Sequence, residues 1–335
     1  MSYELLQSLS RRQYSDRSVL IIGGGWMARE YCQALAAMNV SDVTVITRSR
    51  ESADRVKTWF PVQVLAGGYE GCLTPASRFD LTVVATPIPS LRAAATWAID
   101  SGARNVLVEK PAALYSSELS EWAAAADGRS RVRVAYNRLM YPSVWKARSM
   151  IAEAGSQITS ARYTFTEWTH ELAGKASAGD SVYTRWGISN SLHLIGLAHA
   201  LIGQPKELVA FKDGGLEWHP SGSRFTGAGT TQTGVVFSYQ ADWTSAGRWS
   251  LELMTPIGAY QFMPLEALAV RSKTSIQWEN VPLLQPFAGV KPGVAEQLAV
   301  MLTPELEASF ELVTLDHAAA LTAFAERMLG YSDKA

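Results

Sequence analysis

The sequence predicts an α/β protein: a doubly wound parallel sheet over residues 1–138, then an α+β part with a mostly antiparallel sheet over residues 139–335. Three observations carry this. Val19-Leu20-Ile21-Ile22 is a short continuous apolar run, as in a strand buried on both faces, and a glycine cluster turns it into a helical pattern. Short apolar runs then alternate with helical patterns as far as Ala135, as parallel strands joined by helical crossovers do. Beyond about Asn137 the later strand candidates are separated by hairpin-sized gaps, which suits antiparallel pairing.

In the first part, Met27, Tyr31, Ala34, Leu35 and Met38 recur on one helical face. Residues 43–46 form the second strand. The next helix starts near Ser49 and carries Ala53, Val56, Lys57 and Phe60, and a short strand follows at 62–65. Residues 81–85 read as a buried strand ended by Thr86-Pro87-Ile88-Pro89. A helix over about 90–101 leads through Gly102 to a strand at 105–108, which Glu109-Lys110-Pro111 ends. A helix at 117–126 precedes the last parallel strand, 132–135. Right-handed crossovers put the carboxyl ends of these strands, and so a ligand crevice, on one edge.

In the second part, a helix at 143–153 leads to an alternating strand at 161–168. A helix over 188–202 is closed by Gly203 and Pro205. Strand candidates follow at 208–211, 234–239, 249–254, 259–263 and 267–271, and helices at 294–301 and 317–329.

With 47% hydrophobic and 18% charged residues in 335, the chain has room for a large core and two domains. A net charge of −1 argues against a nucleic-acid partner, and no apolar run is long enough to span a membrane. Cys32 and Cys72 are too few for a disulfide framework, so a reducing, cytoplasmic setting is expected. Ser10-Arg11-Arg12-Gln13-Tyr14 is similar to a twin-arginine export signal. Ser15-Asp16-Arg17-Ser18 follows it instead of an apolar region, so residues 1–17 are expected to be a polar extension.

The glycine cluster carries the first chemistry. Gly23, Gly25 and Ala28 fit G-x-G-x-x-G/A between a strand and a helix, the context of a dinucleotide-binding turn. Gly23 permits the tight turn, Gly25 lets backbone approach a pyrophosphate, and Ala28 permits close packing of helix on strand. Trp26 and Met27 open the helix whose free N–H groups would face that pyrophosphate. An acid at the end of the second strand would accept from the ribose of NAD, but this chain has Thr47-Arg48-Ser49-Arg50. Arg48, Ser49 and Arg50 suit a 2′-phosphate, so NADP(H) is preferred over NAD. Thr86, Pro87, Glu109 and Lys110 end strands beside the expected nicotinamide. A lysine there can donate or accept the proton that accompanies hydride transfer.

Together these residues resemble the Gfo/Idh/MocA family of oxidoreductases. The resemblance rests on the glycine turn, Ala85-Thr86-Pro87, Val106-Leu107-Val108-Glu109-Lys110-Pro111 and Ala135-Tyr136-Asn137-Arg138 with Pro142. Ser191-Leu192-His193-Leu194-Ile195, Gly203-Gln204-Pro205 and Leu251-Glu252-Leu253 with Gly258 extend it over nearly the whole chain. It implies a Rossmann domain, an α+β domain with an open-faced sheet, and hydride transfer to or from a carbonyl or alcohol carbon of a sugar or sugar derivative. It also implies a homodimer or homotetramer joined through that sheet. It assigns Lys110 a catalytic or substrate-positioning role and gives the Lys110-Pro111 peptide a cis tendency. The family's Asp-x-Gly-x-His motif reads Ser189-Asn190-Ser191-Leu192-His193, so the histidine is kept while Ser189 replaces the aspartate, Ser191 the glycine, and Gly196 a frequent acid. Helical spacing sets Ser189 and His193 on one face, and His193 is expected to pair with Lys110 as proton donor or substrate ligand.

Tyr136, Asn137, Arg138, Tyr183, Arg185 and Asn190 are the further substrate candidates, with Trp186 beside them. No metal is expected, since the five histidines lack ligand spacing. The competing expectations are an NADP(H)-binding sensor without turnover, or a reductase of a non-sugar ketone or imine.

Overall fold

A computed structural model of the chain describes residues 2–332 except Asp127, Ala173 and Ala178. These residues divide by internal packing into two units. One holds residues 4–140 with 285–319; the other holds residues up to Tyr3, 141–284, and those from Ala320 onward.

In the first unit six strands lie parallel in the order β3-β2-β1-β4-β5-β6. They are β1 (Ser18–Ile22), β2 (Asp42–Thr47), β3 (Gln63–Ala66), β4 (Leu81–Val84), β5 (Asn105–Glu109) and β6 (Arg131–Ala135). The chain reverses its direction of travel across the sheet between β1 and β4, which is where doubly wound sheets bind ligands. Val19, Leu20 and Ile21 are fully buried, each contributing on the order of 1.5–3 kcal/mol. Helices α2 (Trp26–Ala37), α3 (Arg50–Lys57), α4 (Leu91–Asp100) and α5 (Ser116–Ala126) make the crossovers. α3 ends before Phe60, contrary to expectation, and buries only Ala53 and Val56.

The expected division after residue 138 differs from these units, because residues 285–319 pack with the parallel sheet. α9 (Val294–Leu302) lies on α2. The Val134 N–H donates to the Val313 carbonyl at 2.8 Å, and Arg131 and Arg133 both pair with Glu307 of α10 (Glu307–Phe310). The expected polar extension also folds. Tyr3, Leu6 and Leu9 recur every third residue through α1 (Tyr3–Ser8) and its 3₁₀ continuation, and all three are buried, as is Tyr14.

The second unit is built on a sheet ordered β14-β13-β12-β11-β7-β10-β9-β8. Its strands are β7 (Ser160–Phe165), β8 (Pro205–Asp213), β9 (Arg224–Thr231), β10 (Val236–Asp242), β11 (Trp249–Thr255), β12 (Gly258–Phe262), β13 (Ala269–Ser272) and β14 (Glu279–Asn280). All pairs are antiparallel except β7 with β10. One face packs Tyr163, Phe165, Phe237 and Tyr239 into a stacked aromatic layer. The other leaves Val209, Phe211 and Val236 exposed. β7 stops at Phe165, three residues short of the expected end, and β9 and β14 were not expected.

α6 (Pro142–Glu153) begins with proline in its first turn. The expected helix from residue 188 starts as a π turn, Gly187–Ser191, and continues as α8 (Leu192–Ile202). The short α7 (Ser181–Thr184) precedes it, and α11 (Leu315–Leu329) closes the chain. Among the described residues no helix is long and apolar enough to cross a membrane.

Candidate active site

The glycine turn leaves β1 at the centre of the parallel sheet. Gly23 donates to the Ile46 carbonyl at 2.9 Å with φ +127°, and a Cβ there would lie 2.3 Å from the Ala85 carbonyl oxygen. Gly24, which the fingerprint leaves variable, is equally constrained: a Cβ would meet Ser52 Oγ at 2.4 Å and Thr47 Cγ2 at 2.9 Å. Gly25 is different. Among the described residues, its chain neighbours apart, nothing lies within 4 Å of its Cβ position, and it caps α2, whose first turn carries no acid. An open approach to unpaired N–H groups at a helix start is what an anion needs. Ala28 is fully buried, while Trp26 stands exposed at the helix start.

At the end of β2, Arg48, Ser49 and Arg50 are all exposed. Ser49 caps α3 by accepting from the Ser52 N–H at 3.2 Å, so its hydroxyl proton is what remains for a ligand. Sequence reasoning missed Arg55, whose guanidinium donates to the Gly24 carbonyl at 3.4 Å and to Ser52 Oγ at 3.2 Å. It adds a third cation beside the turn.

Past β4, the buried Oγ1 of Thr86 has no hydrogen-bond partner among the described residues, and Pro87 is exposed. At the end of β5, the Lys110-Pro111 peptide is cis, as the resemblance implies. The Tyr31 hydroxyl of α2 donates to Glu109 Oε1 at 2.6 Å. Burial pushes the Glu109 carboxyl up, against the opposing pull of Tyr31, Lys110 and Lys291. Burial likewise drives the Tyr31 phenol well above its ordinary range.

Lys291 was not expected here. Its segment is pinned to the sheet unit by Gln33, which donates to the Gly289 carbonyl at 2.6 Å, and by Asn137, which donates to the Pro292 carbonyl at 3.0 Å. Lys291 Nζ then lies 3.7 Å from Met27 Sδ. No sequence signal links residues so far apart. Beyond β6, the Tyr136 ring is buried and its hydroxyl lacks a partner among the described residues. Asn137 is buried with its amide committed to Pro292, and Arg138 is half-buried. Orphaned polar atoms at Thr86 and Tyr136, the open Gly25 and the exposed arginines fit a bound dinucleotide.

In the second unit the expected helix opens with a π turn, in which the Leu192 N–H reaches back to the Gly187 carbonyl. The Ser189 hydroxyl donates to the Val182 carbonyl at 2.7 Å and is buried. His193 is half-buried, its ring 6.2 Å from that of Trp249. Asn190 is half-buried and donates to Glu167 Oε2 at 2.8 Å, while Ser191 donates to Oε1 at 2.6 Å. Glu167 was missed. Its carboxyl is raised by burial, and Ser191, Asn190 and Arg248 work against that rise. A lone acid beside Phe165, Thr166 and Trp168 was the available signal.

Tyr183 stacks on Trp186 at 5.7 Å. Arg185, expected on the same wall, is instead buried, bonded to Glu326 and to the Ser332 carbonyl, and stacked on Tyr331. Its guanidinium is thus engaged inside the unit, away from the half-buried Tyr183 and Trp186 rings that it was expected to join. Among the described residues no group of three or more His, Cys, Asp or Glu side chains gathers as a metal site.

Residues 17–137 match the family model described as an oxidoreductase family with an NAD-binding Rossmann fold. No curated protein matches the chain. Solved structures share its fold. UDP-N-acetylglucosamine 3-dehydrogenase GnnA from Acidithiobacillus ferrooxidans is 16% identical with a TM-score of 0.70, over 93% of this chain and 96% of its own. Levoglucosan dehydrogenase, solved with NADH and L-sorbose, is 18% identical at 0.74, over 94% and 96%. An oxidoreductase from Agrobacterium radiobacter, solved with NAD+, L-tartaric acid and magnesium, is 14% identical at 0.74, over 95% and 98%.

Proposed function

We propose, on the match of residues 17–137 to the oxidoreductase family with an NAD-binding Rossmann fold, that the chain belongs to the Gfo/Idh/MocA oxidoreductases and is an NADP(H)-dependent enzyme acting on a carbonyl or alcohol carbon of a sugar or sugar derivative. The observation that carries the proposal is the end of β5. There Tyr31 anchors Glu109, and the adjoining Lys110 is half-buried in the unit that holds the glycine turn. When bound, the nicotinamide supplies or takes up the hydride. Lys110 donates a proton to the carbonyl oxygen in reduction and recovers it from solvent; in oxidation it takes the hydroxyl proton. His193 hydrogen-bonds the substrate hydroxyl, and Asn190, Tyr183, Tyr136 and Arg138 contribute to substrate binding. Arg48 and Arg50 hold the 2′-phosphate, with Ser49 donating to it. A sugar is supported by two proteins of the same fold, whose names are those of dehydrogenases of UDP-N-acetylglucosamine and of levoglucosan.

The exposed Val209, Phe211 and Val236 support a homodimer or homotetramer joined through the open sheet face. Two free cysteines suit a reducing, cytoplasmic setting.

The test is NADPH oxidation with a panel of keto-sugars and nucleotide-linked keto-sugars, for the wild type and for Lys110→Ala. Turnover should fall by roughly 10²-fold or more in the variant while NADPH still binds. Unchanged turnover defeats the role of Lys110. Silence of the wild type across sugars, other ketones and imines favours a binding protein without turnover.

A further inference from the structure

Arg248 precedes β11 and is exposed, yet its side chain is held. The guanidinium carbon lies 4.4 Å from the centre of the Trp168 ring and 5.1 Å from that of Trp249. Trp168 is itself fixed, its indole N–H donating to the Gly247 carbonyl at 3.0 Å. A guanidinium that lies over indole rings is held through its face and keeps its in-plane N–H donors available. Among the described residues no carboxylate lies within ion-pair distance of Arg248. Glu167 faces it electrostatically, but its two oxygens already accept from Asn190 and Ser191. An arginine whose long side chain is ordered by aromatic contacts, and whose fork is not spent on a protein acid, is prepared for bidentate binding of an anion. Its location gives that anion a purpose, because the Trp249 ring that supports Arg248 is the one beside His193.

We propose that Arg248 recognises an anionic substituent, carboxylate or phosphate, on the sugar that His193 contacts. This rests on the functional reading above and narrows its substrate class to acidic or phosphorylated sugars. The bulky apolar walls of the site, Trp168 and Trp249, pack the sugar side of that anion, while Arg248 selects it over a hydroxyl.

The experiment is titration of the full chain, with and without NADPH, by D-glucuronate, D-glucose 6-phosphate and D-glucose, read by calorimetry and by tryptophan fluorescence. At least one of the two anions is expected to bind more than tenfold tighter than glucose, and which of them does so identifies the carboxylate or the phosphate. Arg248→Met, which keeps an apolar stem against the indoles, should weaken that anion more than tenfold while glucose, which lacks the anionic group, binds as before. Arg248→Lys should recover part of the loss, and the anion affinity should fall with added salt. Glucose binding as tightly as both anions, absence of anion binding, or equal anion affinity in Arg248→Met each overturns the proposal. NADPH and NADH affinities, measured in parallel, separate the two readings: absence of binding of either by the wild type defeats the oxidoreductase assignment, whereas retention with indifferent anion binding defeats only the role of Arg248.

Discussion

The Tyr31 hydroxyl lies 2.6 Å from Glu109 Oε1, joining the first crossover helix to the strand end that carries Lys110. Tyr31→Phe removes one donor from a buried carboxyl. The expected cost is about 1.5–3 kcal/mol of unfolding free energy, together with weaker NADPH binding as Glu109 and Lys110 relax. Urea unfolding and a fluorescence titration read both. A variant equal to the wild type in both measurements removes Glu109 from the set of positioning groups.

Arg48 and Arg50 make the cofactor preference testable. Replacing both with alanine should weaken NADPH by at least tenfold and leave NADH nearly unchanged, since only one of the two carries the phosphate they would pair with. Equal affinities of the wild type for the two cofactors defeat the NADP(H) assignment. Arg55→Ala tests whether the cation on Gly24 takes part, by the same ratio.

Glu167 satisfies two donors at the entrance to the helix of His193. Glu167→Ala strands both and should lower stability by about 2–5 kcal/mol. Glu167→Gln keeps the shape, loses the charge and can accept on only one atom, so it should fall between. With turnover as readout, both should raise KM more than they lower kcat, because Asn190 loses its fixed orientation. Equal urea midpoints for Glu167→Ala and the wild type would sink this account.

Glu296 offers a pH signature. Burial raises its carboxyl from 4.5 to about 7, and Oε2 has no hydrogen-bond partner among the described residues. A carboxyl whose folded pKa is raised favours the folded state at low pH. That advantage is lost as pH rises from about 4.5 to 7, for on the order of 3 kcal/mol. Glu296→Gln should therefore match the wild type near pH 4 and exceed it in stability near pH 8. His199 and His219, both lowered to about 4 by burial, destabilise the fold as pH falls through the same range. They do so equally in both proteins, so the difference between the two curves isolates Glu296. A constant difference across pH would show that Glu296 titrates normally.

Phe211 and Val209 stand exposed on the open sheet face. Phe211→Asp should convert an oligomer to a monomer in light scattering with little effect on thermal stability. A wild type that is already monomeric at working concentrations defeats the sheet interface.

The parallel half was legible because β1, β4 and the middle of β5 are short apolar runs, and the turns after β1, β4 and β5 carry glycine or proline. Gly23 and the run before it are the clearest case. β9 was invisible for the opposite reason. Its Gly227 and Gly229 look like turn residues, yet they are small because the rings of Tyr239 and Phe237 lie against them. Lys291 and Glu167 escaped because their partners are remote in sequence, at Met27 and Glu109 for the one and at Asn190 and Ser191 for the other. Arg185 misled because its neighbours in sequence, Tyr183 and Trp186, stack on each other and stay half-buried, while its own partner, Glu326, comes from the last helix. The site residues that were legible are those whose chemistry is set by the end of a strand; those that were not are set by tertiary packing.

The π turn at Gly187–Ser191 acts as a register lock. An ordinary turn would use one residue fewer, and one residue is about 100° of helix rotation. Deleting one residue of the five would let the turn close in the α form with the segments on either side still in register, whereas refolding it as an α turn at unchanged length would rotate the preceding segment by about 100° relative to His193. The wide turn, more than the identity of any side chain, decides which residues share a face with the histidine.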